Sequence, residues 1–345
     1  MKKKQTKQIF RILLFSATAI SLFYVPWILV KAWILPLPDT VQEQVDETLS
    51  HGFDGMIVYV DQAGKAPAYY TGGWHDKKKR IPAYPQALFK IASISKLYVA
   101  VAITKLVHEG RLSLDQTLAE SFPELRDRIE YADQITLKMM VGHRSGIPNF
   151  TDAPGFWEHP PKSTEAALEL ALDLPAHFKP DEDYGYSNTN YLLLKELITK
   201  AVGYSHQQYI REEILTPLGL KNTFSSLGEV NIDSVMSGYY VGIDTDFKTE
   251  DQGMLATAED VGIFLRALND GSVFEAGEQG IYSSIYVYEH GGLVPGYQSL
   301  AEYHKDIDAV VVQFLNTTDF QGYKWNLSQI GINRVVKILR RNTKD

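Results

Sequence analysis

Phe89-Lys90-Ile91-Ala92-Ser93-Ile94-Ser95-Lys96-Leu97 opens an apolar run that continues to Val107 and ends at Gly110. The run is apolar on every side, so it reads as a buried helix rather than a surface one. At about 100° per residue, Lys96 lies one turn from Ser93 on the same face, while Lys105 lies opposite Lys96. The two lysines therefore cannot share one solvated stripe. A lysine inside a buried helix needs a partner, and a serine one turn away supplies a chemical one. A partly desolvated amine has a lowered pKa and can accept a serine proton. The alternatives at this point are a serine that only caps the helix and a lysine that snorkels to water.

The rest of the composition narrows the setting. The chain has 345 residues, 45% hydrophobic and 22% charged, with a net charge of −8 and no cysteine. Disulfides, thiolate metal sites and cysteine nucleophiles are therefore excluded. Residues 1–40 hold six basic residues and one acidic; residues 41–345 carry 28 basic and 41 acidic, a net −13. An acidic body argues against nucleic acid as a partner.

Residues 1–11 form a basic segment, and no charge occurs from Ile12 to Val30. Nineteen such residues span about 28 Å as a helix, close to the hydrocarbon thickness of a bilayer. Tyr24, Trp27 and Trp33 lie where interfacial aromatics are expected. Residues 12–35 are thus expected to be an uncleaved membrane anchor, with residues 1–11 cytoplasmic and residues 36–345 outside, in a bacterial cell membrane. The competing reading is a signal peptide cut near Ala17-Thr18-Ala19, although that site precedes most of the apolar run.

Beyond Thr40 the pattern predicts a helix to Ser50, then strands over Gly55–Val60 and Pro67–Thr71. Residues 111–221 are turn-rich and mostly helical. Strands are expected at Ser284–His290, Gly296–His304 and Ala309–Leu315, and an amphipathic helix at Trp325–Leu339 closes the chain. Strands at both ends of a helical middle imply an α+β fold, an antiparallel sheet interrupted by a helical insertion. The sheet part is expected at about 40–110 and 250–345, the helical part at about 111–249.

Two later motifs join Ser93-Ile94-Ser95-Lys96. Tyr186-Ser187-Asn188 lies in a loop before an apolar helix, and His290-Gly291-Gly292 is read as following a strand. With these in order, the chain resembles the serine β-lactamase and penicillin-recognising superfamily, in its class C-like branch of D-alanyl-D-alanine peptidases, class C β-lactamases and related esterases. Its motifs are Ser-x-x-Lys, Tyr-x-Asn and Lys-or-His-x-Gly. His143-Arg144-Ser145-Gly146-Ile147, Pro217-Leu218-Gly219-Leu220 and Ala256-Thr257-Ala258-Glu259-Asp260 add to the likeness, which covers roughly residues 50–340. His143 and Ser145 are read as structural.

The resemblance implies a β-lactamase/transpeptidase-like fold and a serine hydrolase. Ser93 would form the acyl-enzyme. Lys96 or Tyr186 would be the base, the choice being open, and Tyr186 would protonate the leaving group. Asn188 would hold Lys96 and a substrate amide. The backbone N–H groups of Ser93 and Leu293 would form the oxyanion hole, with Gly291 and Gly292 letting substrate lie along the strand. His290 would titrate near neutrality and bring pH-dependent anion binding. No cofactor and no metal is implied, and no obligate protein partner.

One feature departs from the family pattern. Gly291 stands where that family often has Thr or Ser, whose hydroxyl helps to hold a substrate carboxylate. The expected substrate is a D-amino-acyl or cell-wall peptide, in a carboxypeptidase-like reaction. The rivals are a broad esterase, a weak β-lactamase, or a non-catalytic penicillin-binding-like module.

Overall fold

The computed structural model describes residues 2–251 and 253–343, with side chains from residue 5 onward. Two helices precede the folded body, α1 (Lys2–Phe23) and α2 (Trp27–Ile34). The expected single span over 12–35 is therefore broken at Tyr24–Pro26. Proline has no N–H to give to the helix, and its ring disfavours helical backbone in the residue before it. Among the described residues, Gln5–Phe23 is the one helical stretch long and apolar enough to cross a bilayer.

Helix α3 (Val41–Ser50) begins at a capping box, in which Thr40 and Glu43 satisfy each other's backbone N–H groups. It leads into a six-stranded antiparallel sheet: β1 (Gly55–Gln62), β2 (Ala68–Asp76), β3 (Ile81–Pro82), then, after a long excursion, β4 (His290–Val294), β5 (Tyr297–His304) and β6 (Ala309–Leu315). Their order is β3-β2-β1-β6-β5-β4, so β4 is an edge strand. The remaining long helices are α4 (Ser95–His108), α5 (Asn188–Val202), α6 (Ala258–Asp270) and α7 (Lys324–Arg341).

Side-chain alternation along β1 explains why both faces of the sheet are covered. Met56, Val58 and Val60 face one way, into a cluster with Val45 of α3 and Ile332, Val335 and Val336 of α7. Ile57 and Tyr59 face the other way, toward α4 and α6. There Tyr98 of α4 stacks on Phe264 of α6, ring centres 3.7 Å apart. Every residue of α4 from Ser95 to Leu106 is buried, as its uniform apolarity predicts. Lys105 is buried too, and its charge meets Glu278 at 3.2 Å.

The expected strand at 284–290 does not form. Glu278–Ser283 is helical, and the strand starts only at His290. The intervening carbonyls are taken by side chains instead of a sheet partner: Tyr282 Oη donates to Val287 O at 2.5 Å, and Asn269 Nδ2 to Tyr288 O at 3.1 Å. His290 thus opens a strand rather than following one. The strand expected at Pro67–Thr71 runs further, to Asp76.

Candidate active site

Short strand Phe89–Lys90 pairs with Leu255–Ala256, and Ile91 N donates to Met254 O at 3.1 Å. The chain then turns sharply. Ala92 has φ +48°, in the left-handed region that a Cβ disfavours. A single 3₁₀ turn, Ala92–Ile94, carries Ser93 and runs into α4. No side chain caps α4, so Ser93 is not held there as a cap.

Three of the predicted residues converge on the Ser93 hydroxyl region. Tyr186 Oη donates to Ser93 Oγ at 2.7 Å. Lys96 Nζ lies 3.2 Å from the same oxygen and donates to Asn188 Oδ1 at 2.8 Å. Lys96 does not snorkel; it is 6% exposed, with Nζ 4.9 Å from the centre of the Tyr186 ring and 5.3 Å from that of Tyr191.

Burial sets the protonation of this group. It pushes the Lys96 amine well below its ordinary range, and the charge of Lys195 adds to the effect. It also pushes the Tyr186 phenol up to about 12, although the hydrogen bond to Ser93 pulls the other way. A neutral amine has two hydrogens and one lone pair. With one hydrogen on Asn188, its lone pair can face Ser93 Oγ, while Tyr186 stays a phenol and donates.

Asn188 is the first residue of α5 and carries more than Lys96. Its Nδ2 donates to Asn149 Oδ1 at 3.3 Å and Thr151 Oγ1 at 3.2 Å, and its backbone N–H to Asn149 Oδ1 at 2.9 Å. Both amide hydrogens are engaged, so the arrangement fixes where Asn188 Oδ1 holds Lys96. Nothing in the sequence singles out Asn149 and Thr151. They lie beyond the His143–Ile147 match and belong to no motif of their own.

His143 accepts Ser187 N–H at 3.2 Å and lies against the Tyr186 ring, centres 4.5 Å apart. Burial lowers its pKa to about 3. This neutral ring backs the tyrosine.

The third wall is β4. Gly292 packs directly on the nucleophile turn: a Cβ there would lie 2.3 Å from Ile91 O and 2.4 Å from Ser299 Oγ. Only glycine admits this approach. Gly291 faces the other side, where a Cβ would lie 2.7 Å from Trp325 Cη2 and 3.2 Å from Leu300 Cδ2. The missing Thr or Ser is thus explained by Trp325 at the start of α7, whose ring fills that space. Leu293 follows on the same edge strand, whose one partner among the described strands is β5.

His290 stands with its ring centre 6.4 Å from that of Tyr186 and 6.0 Å from that of Tyr286. Its Nδ1 is 2.6 Å from Gly291 O; a carbonyl only accepts, so Nδ1 carries the hydrogen. Burial lowers its pKa to about 4. The expectation that His290 titrates near neutrality is therefore corrected. Desolvation penalises the imidazolium and favours the neutral ring.

The profile of the Beta-lactamase family matches residues 37–329 of the chain. The chain belongs to the Beta-lactamase family. Among curated proteins, Protein flp of Staphylococcus aureus (strain MW2) is 28% identical over 193 residues, 54% of this chain and 39% of that protein. Penicillin-binding protein 4* of Bacillus subtilis (strain 168) is 25% identical over 209 residues, 58% of this chain and 45% of that protein. The chain thus spans under half the length of these curated relatives. Among solved structures, D-amino acid amidase from Ochrobactrum anthropi SV3 superposes with a TM-score of 0.77 at 22% identity, over 88% of this chain and 98% of that one. A penicillin binding protein from Bacillus halodurans gives 0.69 at 19% identity, over 82% and 96%. These likenesses establish the fold of the Beta-lactamase family, with a mixed α and β body and an open antiparallel sheet.

Away from the motifs, His108, Glu275 and Glu278 bring potential ligand atoms within 4.8 Å of one another. Buried Glu278 is already neutralised there by Lys105, 3.2 Å away.

Proposed function

We propose that this Beta-lactamase family member is a serine hydrolase that forms an acyl-enzyme on Ser93 from a D-amino-acyl amide or ester. The observation that carries the proposal is the placement of Ser93 Oγ between Tyr186 Oη at 2.7 Å and Lys96 Nζ at 3.2 Å. In this mechanism Ser93 Oγ attacks the acyl carbon as its proton passes to neutral Lys96. The N–H groups of Ser93 and Leu293 receive the oxyanion. The acyl–leaving-group bond then breaks, Tyr186 Oη gives its proton to the departing atom, and Lys96 restores the tyrosine proton. Water attacks the ester of Ser93 by the reverse proton path and releases the acid. Of the two candidate bases, the lowered pKa of Lys96 and the raised pKa of Tyr186 favour the lysine.

Apart from Lys96, the rings packed on Tyr186, His143 and His290, are uncharged, and Tyr286 stacks on His290. Together with Trp325 over Gly291, they favour an amide or ester with a neutral leaving group over a peptide ending in a carboxylate. The D configuration is carried over from the solved D-amino acid amidase and from the D-stereospecific amidohydrolase of a Streptomyces species. A D-alanyl-D-alanine carboxypeptidase is the second reading, favoured by the likeness to penicillin-binding proteins.

The domain is proposed to work at the outer face of a membrane, held by α1. Arg334 of α7 donates to Leu35 O and Pro36 O, both at 2.8 Å, which ties the end of the apolar segment to the folded body. The basic flank of α1 orients the anchor with its N-terminus inside.

The test uses the full chain in detergent with a chromogenic short-chain ester, D-alanyl-D-alanine peptide and a fluorescent penicillin. Ester turnover lost in Ser93→Ala supports the hydrolase. Release of D-alanine from the peptide selects the second reading. Neither labelling nor turnover in the wild type defeats both.

A further inference from the structure

Five half-buried or exposed aromatic side chains stand outside all three apolar clusters of the described residues: Phe150, Phe156, Trp157, Tyr240 and Phe320. They touch in series. Ring centres are 5.4 Å apart for Phe150–Phe156, 4.9 Å for Phe156–Trp157, 5.4 Å for Trp157–Phe320 and 5.3 Å for Tyr240–Phe320. Phe320 N also donates to Tyr240 Oη at 3.0 Å. The series joins the loop after residue 149 to the segment after β6, some 160 residues away in sequence. Trp157 is 39% exposed at its middle. Rings recruited for stability alone should join a core, where their large apolar area is removed from water.

Each end of the span is tied to a segment that flanks the site. Phe150 lies between Asn149 and Thr151, the two residues that hold Asn188, and its own N–H donates to Thr189 Oγ1 at 3.1 Å. At the other end Tyr240 meets Phe247, ring centres 6.4 Å apart, and a Cβ on Gly296 would lie 3.1 Å from Phe247 Cβ. Gly296 is in the turn that follows Val294, the last residue of β4. The two ends of β4 therefore differ. His290 begins it beside Tyr186, the proton donor to the leaving group, and Val294 ends it near the aromatic span.

We infer that this span is the acyl-side wall of the cleft and that it selects substrates whose acyl group carries an aromatic side chain. The inference rests on the acyl-enzyme reading of Ser93 and deepens it. A substrate stretched along β4 with its leaving group at Tyr186 has its acyl side chain directed away from His290. That side chain meets rings presenting both faces and edges, the geometry in which aromatic pairs attract. Contact remote from the bond being broken is also the kind of binding that positions the reacting carbon.

The experiment compares D-phenylalaninamide with D-alaninamide, on the full chain in detergent. In hydrolysis, the phenylalanyl substrate is expected to have a kcat/KM at least about tenfold higher, the scale that apolar pockets deliver. Trp157→Ala and Phe320→Ala should each compress that ratio toward one, with melting temperatures checking that each variant folds. In parallel, calorimetry on Ser93→Ala measures binding of the two amides without turnover, with and without Trp157→Ala. Preferential binding of the phenylalanyl amide, lost with Trp157, upholds the wall even if neither amide is hydrolysed, in which case only the hydrolase reading fails. Hydrolysis of both amides at equal efficiency, or equal binding, overturns the wall and leaves the hydrolase standing.

Discussion

Tyr186 Oη donates to Ser93 Oγ at 2.7 Å while burial holds its own proton up to about 12. A phenol so bound fits the acid of the proposed mechanism better than its base. In the proposed mechanism the base is then Lys96, whose amine burial keeps well below its ordinary range.

This division of labour separates two variants. Lys96→Met should lower kcat/KM by about 10²–10⁴-fold on every substrate, the usual scale for a general base. Tyr186→Phe should hurt amides far more than 4-nitrophenyl esters, because nitrophenolate leaves without a proton. Steady-state kinetics on one amide and one activated ester check this. Equal losses on both substrates in Tyr186→Phe would assign the base to the tyrosine.

The acid limb of kcat/KM should report the lowered pKa of Lys96, so activity rises with pH well below 10.5. His290 should add no inflection of its own near 6.5, because burial lowers its pKa to about 4, so the profile of His290→Gln should keep the acid limb of the wild type. A pH–rate profile from 4 to 10 reads both features.

Stability should respond to pH for a related reason. His143 has a folded pKa of about 3, and His206 and His290 of about 4, all below the ordinary 6.5. Above 6.5 these rings are neutral in both folded and unfolded chain. As pH falls from 6.5 to 4, the unfolded chain takes up protons that the folded one refuses, so stability falls. For these groups the loss levels off below about 3. Melting curves between pH 7 and 4 should show a declining midpoint, and His143→Phe should flatten the decline.

Gly291 and Trp325 form a reciprocal pair. A threonine at 291 would drive its Cβ within 2.7 Å of Trp325 Cη2. Gly291→Thr alone should therefore destabilise the protein by about 1–3 kcal/mol, the usual cost of overpacking. Gly291→Thr with Trp325→Ala should recover much of that loss. A double-mutant cycle by denaturant unfolding measures the coupling; additive effects would dissociate the two residues.

Gly292 allows no such rescue, because its closest neighbour is backbone. The Ile91 carbonyl oxygen lies 2.3 Å from where a Cβ would sit. Gly292→Ala should push β4 away from the nucleophile turn and withdraw the Leu293 N–H from the oxyanion. Removing one such donor costs about 10²–10³ in kcat. Kinetics on a folded Gly292→Ala protein check the loss, and near wild-type kcat would remove Leu293 from the proposed mechanism.

Features that depend on local chain chemistry are legible in the amino-acid order itself. The uniform apolarity of Ser95–Leu106 marks a buried helix, and the buried lysine within it points at Ser93. The patterns of Gly55–Val60 and Ala309–Leu315 mark strands; the first runs on to Gln62, and the two pair in register from Met56 with Leu315 to Gln62 with Ala309. What the amino-acid order does not reveal depends on contacts between distant segments. Ser284–Glu289 has strand-like composition, but Tyr282 and Asn269 claim its carbonyls. His290 has the residue type of a neutral-pH switch, and only its burial in the folded chain removes that behaviour. Asn149 and Thr151 gain their role only because the fold places them against Asn188. The reason for Gly291 lies in Trp325, more than thirty residues further along the chain.

In the proposed mechanism Ser93 carries the acyl group. The most direct measurement is intact-mass and peptide mapping of the full chain quenched in acid during turnover of an activated D-phenylalanyl ester. A single acyl adduct is expected on the peptide containing Ser93, absent from Ser93→Ala and accumulating when deacylation is slowed. An adduct on another residue, or turnover by Ser93→Ala at the wild-type rate, would contradict it.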